Sequence, residues 1–192
     1  MKAGSTHTDP DEQELVRDAR LGDSRAFKVL YERHRERVYN LAFYSLGDAL
    51  WAEDVLQVIF LKIHRGLPGF RFESNLATWI YRITLNELQN QQRRRGVHSV
   101  PLEAVLGSKD EFDNDSPPDL RTLDNQRREI VQQVVLELSP KLRTVVLLKY
   151  FEGLSYDEIA ELLDCASGTV ASRLNRALKE MEARLRPLKR LL

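Results

Sequence analysis

Apolar side chains recur along this chain at three- and four-residue intervals, the period of one helix face. Phe27, Leu30, Tyr31, His34, Val38, Leu41 and Ala42 make one such stripe; Val55, Leu56, Ile59, Phe60 and Ile63 make a second. Gly66, Pro68 and Gly69 then break the pattern. A third helix is predicted from about Asn75 to Arg94, with Leu76, Trp79, Ile80, Ile83 and Leu88 on its buried side. No alternating apolar and polar stretch is long enough for a convincing strand. Residues up to 96 therefore read as one all-helical domain.

Residues 97–122 change character. They carry three Pro with clustered Asp and Ser and little apolar periodicity, which predicts a flexible acidic linker. From Leu123 the helical period returns, first through Leu123, Arg127, Ile130, Val131, Val134 and Leu138. Ser139-Pro140 reads as a start signal, Ser as N-cap and Pro at the first helical position. Leu142, Val145, Val146 and Lys149 mark that helix, and Gly153 ends it. Ser155 and Glu158 have the spacing of a capping box. Asp164-Cys165-Ala166 is a short turn, Ser167 is expected to cap a last helix, and Pro187 interrupts it. The expected fold is all-α: two helical domains, residues 1–96 and 123–192, joined by the linker at 97–122.

Bulk composition supports this reading. Gly and Pro together are 16 of 192 residues, below the usual share of about 12%, which favours long helices over turn-rich β structure. No apolar run approaches the roughly 18 residues of a membrane span. The N-terminal MKAGSTHTDPDEQE has no apolar signal core. Cys165 is the only cysteine, so no internal disulfide can form, and a cytoplasmic location is expected. One Cys and four scattered His give no metal-ligand spacing. No cofactor is expected.

Charge changes the picture once it is resolved along the chain. The total is zero, 29 Lys+Arg against 29 Asp+Glu, and a zero total argues against a simple polybasic nucleic-acid binder. Yet residues 61–96 hold seven basic and two acidic residues, and residues 170–192 again seven and two. Residues 97–122 hold two and six. Two basic segments are cancelled by their acidic surroundings.

The second basic segment belongs to a helix–turn–helix over Tyr156–Arg176. Ile159, Leu163, Cys165, Val170 and Leu174 are spaced to pack its two helices, and Ala160 is small where they must cross. That leaves Thr169, Ser172, Arg173, Asn175 and Arg176 on the outer side of the second helix. A helix fits the DNA major groove, where Arg can bond both acceptors of a guanine edge. The local charge supplies the phosphate attraction. An ordinary helical hairpin with a solvated face would not need spacing, caps and charge to agree.

The first basic segment interleaves aromatics, amides and cations from Phe70 to Arg82 and on to Arg95. That mixture suits single-stranded nucleic acid, with rings receiving bases, amides reading edges and Arg holding the backbone. The bland alternative is packing, because Trp79 and Ile80 stand where core residues belong.

With these segments in order, the chain resembles a bacterial sigma factor of the extracytoplasmic-function (ECF) group. The residues that carry the resemblance are Asp23 to Phe27, Ala52 to Phe60, Phe70 to Arg82, Leu154 to Ala160 and Gly168 to Ala177. The resemblance implies that the N-terminal domain binds the β′ coiled coil of core RNA polymerase through Asp54, Gln57 and Phe60. It implies that the same domain melts the −10 element of promoter DNA and holds a flipped base, a role assigned to Arg71, Phe72, Glu73, Ser74, Asn75, Trp79, Arg82 and Asn86. The C-terminal domain would read the −35 element while packing on the β flap. The resemblance further implies an anti-sigma factor as partner, no membrane insertion, and no catalytic residues, since polymerase makes the RNA. Three positions depart from the family pattern. Val58 stands where an acidic residue is usual, Ala171 where a basic one is common, and Phe72 where the residue is commonly small. The first predicts a weaker polar contact or a shifted interface, the second one DNA contact fewer, and the third a ring that either stacks on a base or walls the pocket.

Two rivals fit less of the chain. A helix–turn–helix regulator independent of polymerase leaves Asp54 to Phe60 and Phe70 to Arg82 unexplained. An enzyme lacks a basis, because His7, His34, His64 and His98 form no metal or triad spacing and no Gly-rich phosphate loop is present.

Overall fold

The computed structural model describes residues 10–95 and 129–188. Every regular element among them is helical, and they fall into two compact units. The expected linker and the start of the helix at Leu123 to Arg128 lie outside the described residues.

The N-terminal unit consists of α1 (Pro10–Arg20), most of α2 (Ser24–Leu46), α3 (Ala49–Gly66), a 3-10 turn (Leu67–Gly69) and α4 (Leu76–Arg95). Asp23 starts α2: its Oδ1 accepts from the backbone N–H of Arg25 at 2.7 Å and of Ala26 at 3.3 Å, satisfying donors that a first turn leaves open. The α2 stripe is buried as its period requires, with Leu30, His34, Val38, Leu41 and Ala42 all in the core. Rings lock α2 to α3, Phe27 edge-on to His64 at 4.7 Å and Tyr31 edge-on to Phe60 at 4.6 Å. Such pairs contribute about 0.5–1.5 kcal/mol beyond their buried area. On α1, Val16 and Ala19 are buried, and Asp11 takes a 2.5 Å ion pair from Arg33 of α2. Between α3 and α4, Lys62 reaches the buried carboxylate of Glu87 at 2.5 Å, and Gln91 donates to its other oxygen at 2.6 Å.

The C-terminal unit contains α5 (residues 129–136), α6 (Pro140–Val146), α7 (Tyr156–Leu162) and α8 (Ser167–Leu185). Ser139 is the N-cap of α6 and Pro140 its first residue, though the Ser139 side chain makes no capping bond. The helix widens into a π turn at Leu147–Phe151, and Gly153, at φ +70°, turns the chain out of it in a conformation that glycine adopts without strain. Arg143 is buried and donates through Nη2 to the carbonyls of Leu136, an open acceptor at the end of α5, and of Leu138 in the turn that follows. Desolvation lowers its pKa to about 10, which leaves it charged at neutral pH. Arg184 near the end of α8 binds Glu137 at 2.8 Å and closes the unit.

Candidate nucleic-acid interface

The helix–turn–helix forms as expected. Ser155 and Glu158 make the reciprocal capping box: the Ser155 Oγ accepts from the Glu158 N–H at 3.2 Å, and the Glu158 carboxylate accepts from the Ser155 N–H at 2.7 Å. Ile159, Ala160, Val170, Leu174 and Ala177 are buried where the helices cross, with Leu163 and Cys165 half-buried at the turn. Asp164 takes the turn at φ +48°, a conformation Asp tolerates better than most residues. One expectation is corrected. The N-cap of α8 is Ala166, and Ser167 is the first helical residue. Its hydroxyl instead donates to Asp157 Oδ1 of α7 at 2.6 Å, so it ties the two helices together.

On α8, Ser172, Asn175 and Arg176 are exposed, while Thr169 and Arg173 are half-buried on the flank of the same surface. A rotation of about 100° per residue explains the difference, since it puts Ser172 and Arg176 nearly opposite Val170 and Leu174 and leaves Thr169 and Arg173 at the edge. The Ser172 hydroxyl donates back to the Thr169 carbonyl at 2.9 Å, and Arg176 is held by Glu180 at 3.0 Å. The five expected residues thus lie on one solvent-facing side of the helix.

In the N-terminal unit the second constellation spans a loop and a helix. Phe70 is buried with its ring 5.2 Å from Trp79 and 5.0 Å from Phe72. Trp79 is half-buried and lies over Gly66, where a Cβ would stand 3.1 Å from Cζ2, a close approach that glycine permits without any shift of the indole. Arg71, Phe72 and Glu73 are exposed, and Ser74 and Asn75 half-buried. The Asn75 Oδ1 accepts from the Thr78 N–H at 2.6 Å, so its carboxamide oxygen caps α4. Trp79, Arg82 and Asn86 follow at i, i+3 and i+7, one side of α4, with Asn86 exposed and about 10 Å of helix between the first and last.

Phe72 is the one aromatic residue among the described residues with positive φ, at +58°. A left-handed conformation costs a bulky side chain about 1–2 kcal/mol, so surrounding contacts must hold it. One of them is Arg20 at the end of α1, whose guanidinium lies 5.6 Å from the Phe72 ring centroid and donates to the Pro68 carbonyl at 3.2 Å. No sequence signal marked Arg20, because its partners are about fifty residues away.

On α3, Asp54 and Gln57 are exposed, but Phe60 is 6% exposed and packed on Tyr31. The resemblance assigned Phe60 to a partner surface; the apolar stripe on which it stands puts it in the core. Leu61, 56% exposed, shares a helix side with Asp54 and Gln57, at i+7 and i+4, and Leu50, 77% exposed, stands on the same side one turn before Asp54. Among the described residues, no group of three or more His, Cys, Asp and Glu converges to hold a metal, and no helix is long and apolar enough to cross a membrane.

Comparison with known proteins follows the same two units. A Sigma-70 region 2 family model matches residues 30–97, and a Sigma-70 region 4 model matches residues 128–181. The RNA polymerase sigma-H factor of Pseudomonas aeruginosa is 34% identical over 189 residues, covering 95% of this chain and 98% of its own. The ECF RNA polymerase sigma-E factor of Escherichia coli K12 is 33% identical over 185 residues, covering 92% and 95%. Among solved structures, the sigma factor RpoE of Bartonella quintana, in complex with the anti-sigma factor NepR, superposes with a TM-score of 0.65 at 26% identity over 83% of this chain and 96% of that one. CnrH, in complex with the cytosolic domain of CnrY, shares the fold at a TM-score of 0.66 and 22% identity, over 92% and 97%. A two-part helical chain with a capped helix–turn–helix, matched nearly end to end by such relatives, belongs to the sigma-70 family as an RNA polymerase sigma factor of the ECF group.

Proposed function

We propose that this sigma factor reads its promoter at two places and binds polymerase through both of its units. The observation that carries the first assignment is the exposed side of α8, where Ser172, Asn175 and Arg176 face solvent with Thr169 and Arg173 beside them. In the major groove of the −35 element those groups can reach base edges, while the basic end of the chain meets phosphates.

Melting of the −10 element belongs to the loop Arg71–Asn75 and to Trp79, Arg82 and Asn86. Unstacking costs a few kcal/mol per step, and capture of one extruded base, with cations on the displaced strand, offsets it. The carboxamide oxygen of Asn75 serves the α4 cap, so this residue offers a base its NH2 group. Asp54, Gln57 and Leu61 form the contact with the β′ coiled coil of core polymerase, supported from beneath by Phe60. The C-terminal unit packs on the β flap. Residues 97–122, outside the described residues, carry a net negative charge suited to a basic polymerase channel. The chain acts in the cytoplasm, has no catalysis of its own, and leaves RNA synthesis to polymerase. The two related structures are complexes, one of them with a named anti-sigma factor. An anti-sigma partner that covers polymerase-binding surfaces is the corresponding expectation for this chain.

The test is transcription in vitro with core polymerase on a genomic promoter library. Addition of the protein is expected to programme starts at a defined set of promoters. Start sites identical with and without it would refute the assignment.

A further inference from the structure

We infer that Arg20 is a positioning residue for base capture, fixing the Phe72 ring as the platform on which the extruded −10 base stacks. The inference rests on the base-capture reading above and deepens it.

Phe72 has a backbone conformation that a bulky residue does not adopt unaided, at φ +58°. Its neighbours supply the restraint. Phe70, buried and in contact with Trp79, holds one edge of the ring at 5.0 Å between centroids. Arg20 supplies the other hold: its Cζ stands 5.6 Å from the ring centroid while Nη2 bonds the Pro68 carbonyl at 3.2 Å. One guanidinium therefore grips the 3-10 turn on one side of Phe70 and the ring on the other. The Arg20 Nε is buried without a hydrogen-bond partner within the chain, so the group is kept there at the expense of a hydrogen bond water would give it. Phe72 as a whole nevertheless stays 36% exposed, which leaves surface for an incoming base.

The chemistry of the ligand follows. A fixed phenyl ring stacks on any base, more strongly on a large one, and reads no hydrogen-bond edge. A cation on the ring polarises it and holds its angle. Without Arg20 the loop would still exist, but Phe72 would relax out of the left-handed region and the platform would be lost. Arg20 thus acts through Phe72 and touches no base.

The experiment uses holoenzyme, assembled from core polymerase and the full chain, on a forked promoter with the −10 non-template strand single-stranded. Each −10 base is replaced in turn by an abasic site. For the wild type, one position is expected to lose about tenfold in affinity when its base is removed. Arg20→Ala is expected to abolish that penalty while core binding and duplex binding stay unchanged. Phe72→Leu should do the same, and the double variant should be no worse than either. Arg20→Lys keeps a cation near the ring and should restore part of the penalty. An undiminished penalty in Arg20→Ala, or additive losses in the double variant, would overturn the inference while base capture stood. If no position in the wild type showed a penalty, base capture itself would fall, and the role of Arg20 with it. Thermal unfolding of each variant separates a loosened loop from a lost fold.

Discussion

The hydroxyl of Ser167 donates to the carboxylate of Asp157 across the helix–turn–helix, at 2.6 Å. The donor opens α8 and the acceptor lies in the first turn of α7. The bond therefore ties the start of the helix proposed to read DNA to the helix that packs beneath it. Hydroxyl-to-carboxylate bonds are stronger than neutral ones, but both groups face solvent here, which reduces the effect.

Ser167→Ala is expected to cost about 0.5–1 kcal/mol, with Asp157→Ala similar and the pair coupled by most of that amount. Thermal unfolding of the four proteins of the cycle measures it. Strictly additive losses would show that the bond does not hold the hairpin. Ser155→Ala, by contrast, removes a true cap and should cost about 1 kcal/mol.

Arg176 is an exposed cation of the α8 surface, and Glu180 holds it. Arg176→Ala should lose about 1–3 kcal/mol on the preferred promoter and relax selectivity at one −35 position. Promoter-variant binding by holoenzyme measures this. A uniform loss over all sequences, with a shallower salt dependence, would make it a phosphate contact. Glu180→Gln frees the guanidinium and should raise affinity for DNA of any sequence.

The helix faces were legible because core burial imposes the 3.6-residue period directly on the sequence, as in the run from Phe27 to Ala42. The Ser155–Glu158 box was legible because both partners sit within one turn. The role of Ser167 was not: a Ser before a helical run reads as a cap, and only the fold brings Asp157 into range to compete. Phe60 lies both in the segment that carries the resemblance and on an apolar stripe, and the stripe accounts for its burial. Arg20 and Phe72 could not be paired from the sequence, because the turn after α3 brings them together across most of a domain.

Lys62 and Glu87 join α3 to α4 through a glutamate side chain that is 4% exposed. Lys62→Met leaves that carboxylate held by the Gln91 amide. Losing one partner of a fully buried pair costs about 3–5 kcal/mol; Lys62 is itself half in water, so about 1–3 kcal/mol is expected here. Denaturant unfolding of the full chain reads the loss, and Glu87→Gln in the same background should recover part of it. A Lys62→Met protein as stable as the wild type would show that water replaces the ammonium at no cost.

Asn75 is placed to serve the fold with one atom and DNA with another. Asn75→Asp keeps an oxygen on the Thr78 N–H and a negative charge at the start of α4, so stability should hold or rise by a few tenths of a kcal/mol. The same change removes the NH2 donors and sets a charge against the displaced strand. Open-complex formation should then fall about tenfold or more while closed-complex binding changes little. Permanganate reactivity of −10 thymines and filter binding of duplex promoter give the two quantities. An equal fall in both would mean that Asn75 only caps.

Phe72→Gly sets folding against function at one residue. Glycine adopts φ +58° without strain, which recovers about 1–2 kcal/mol. The lost ring is about two-thirds buried, and burial on that scale is worth about 1–2 kcal/mol. These terms oppose each other, so the change in stability should stay within about 1 kcal/mol. The stacking surface, however, goes entirely, and open complexes on the preferred promoter should fall by about tenfold. Thermal unfolding beside open-complex yield makes the comparison. A strong loss of stability would show that the ring is there for packing. A stable variant that melts promoters as well as the wild type would show that the strained conformation does no work for the DNA.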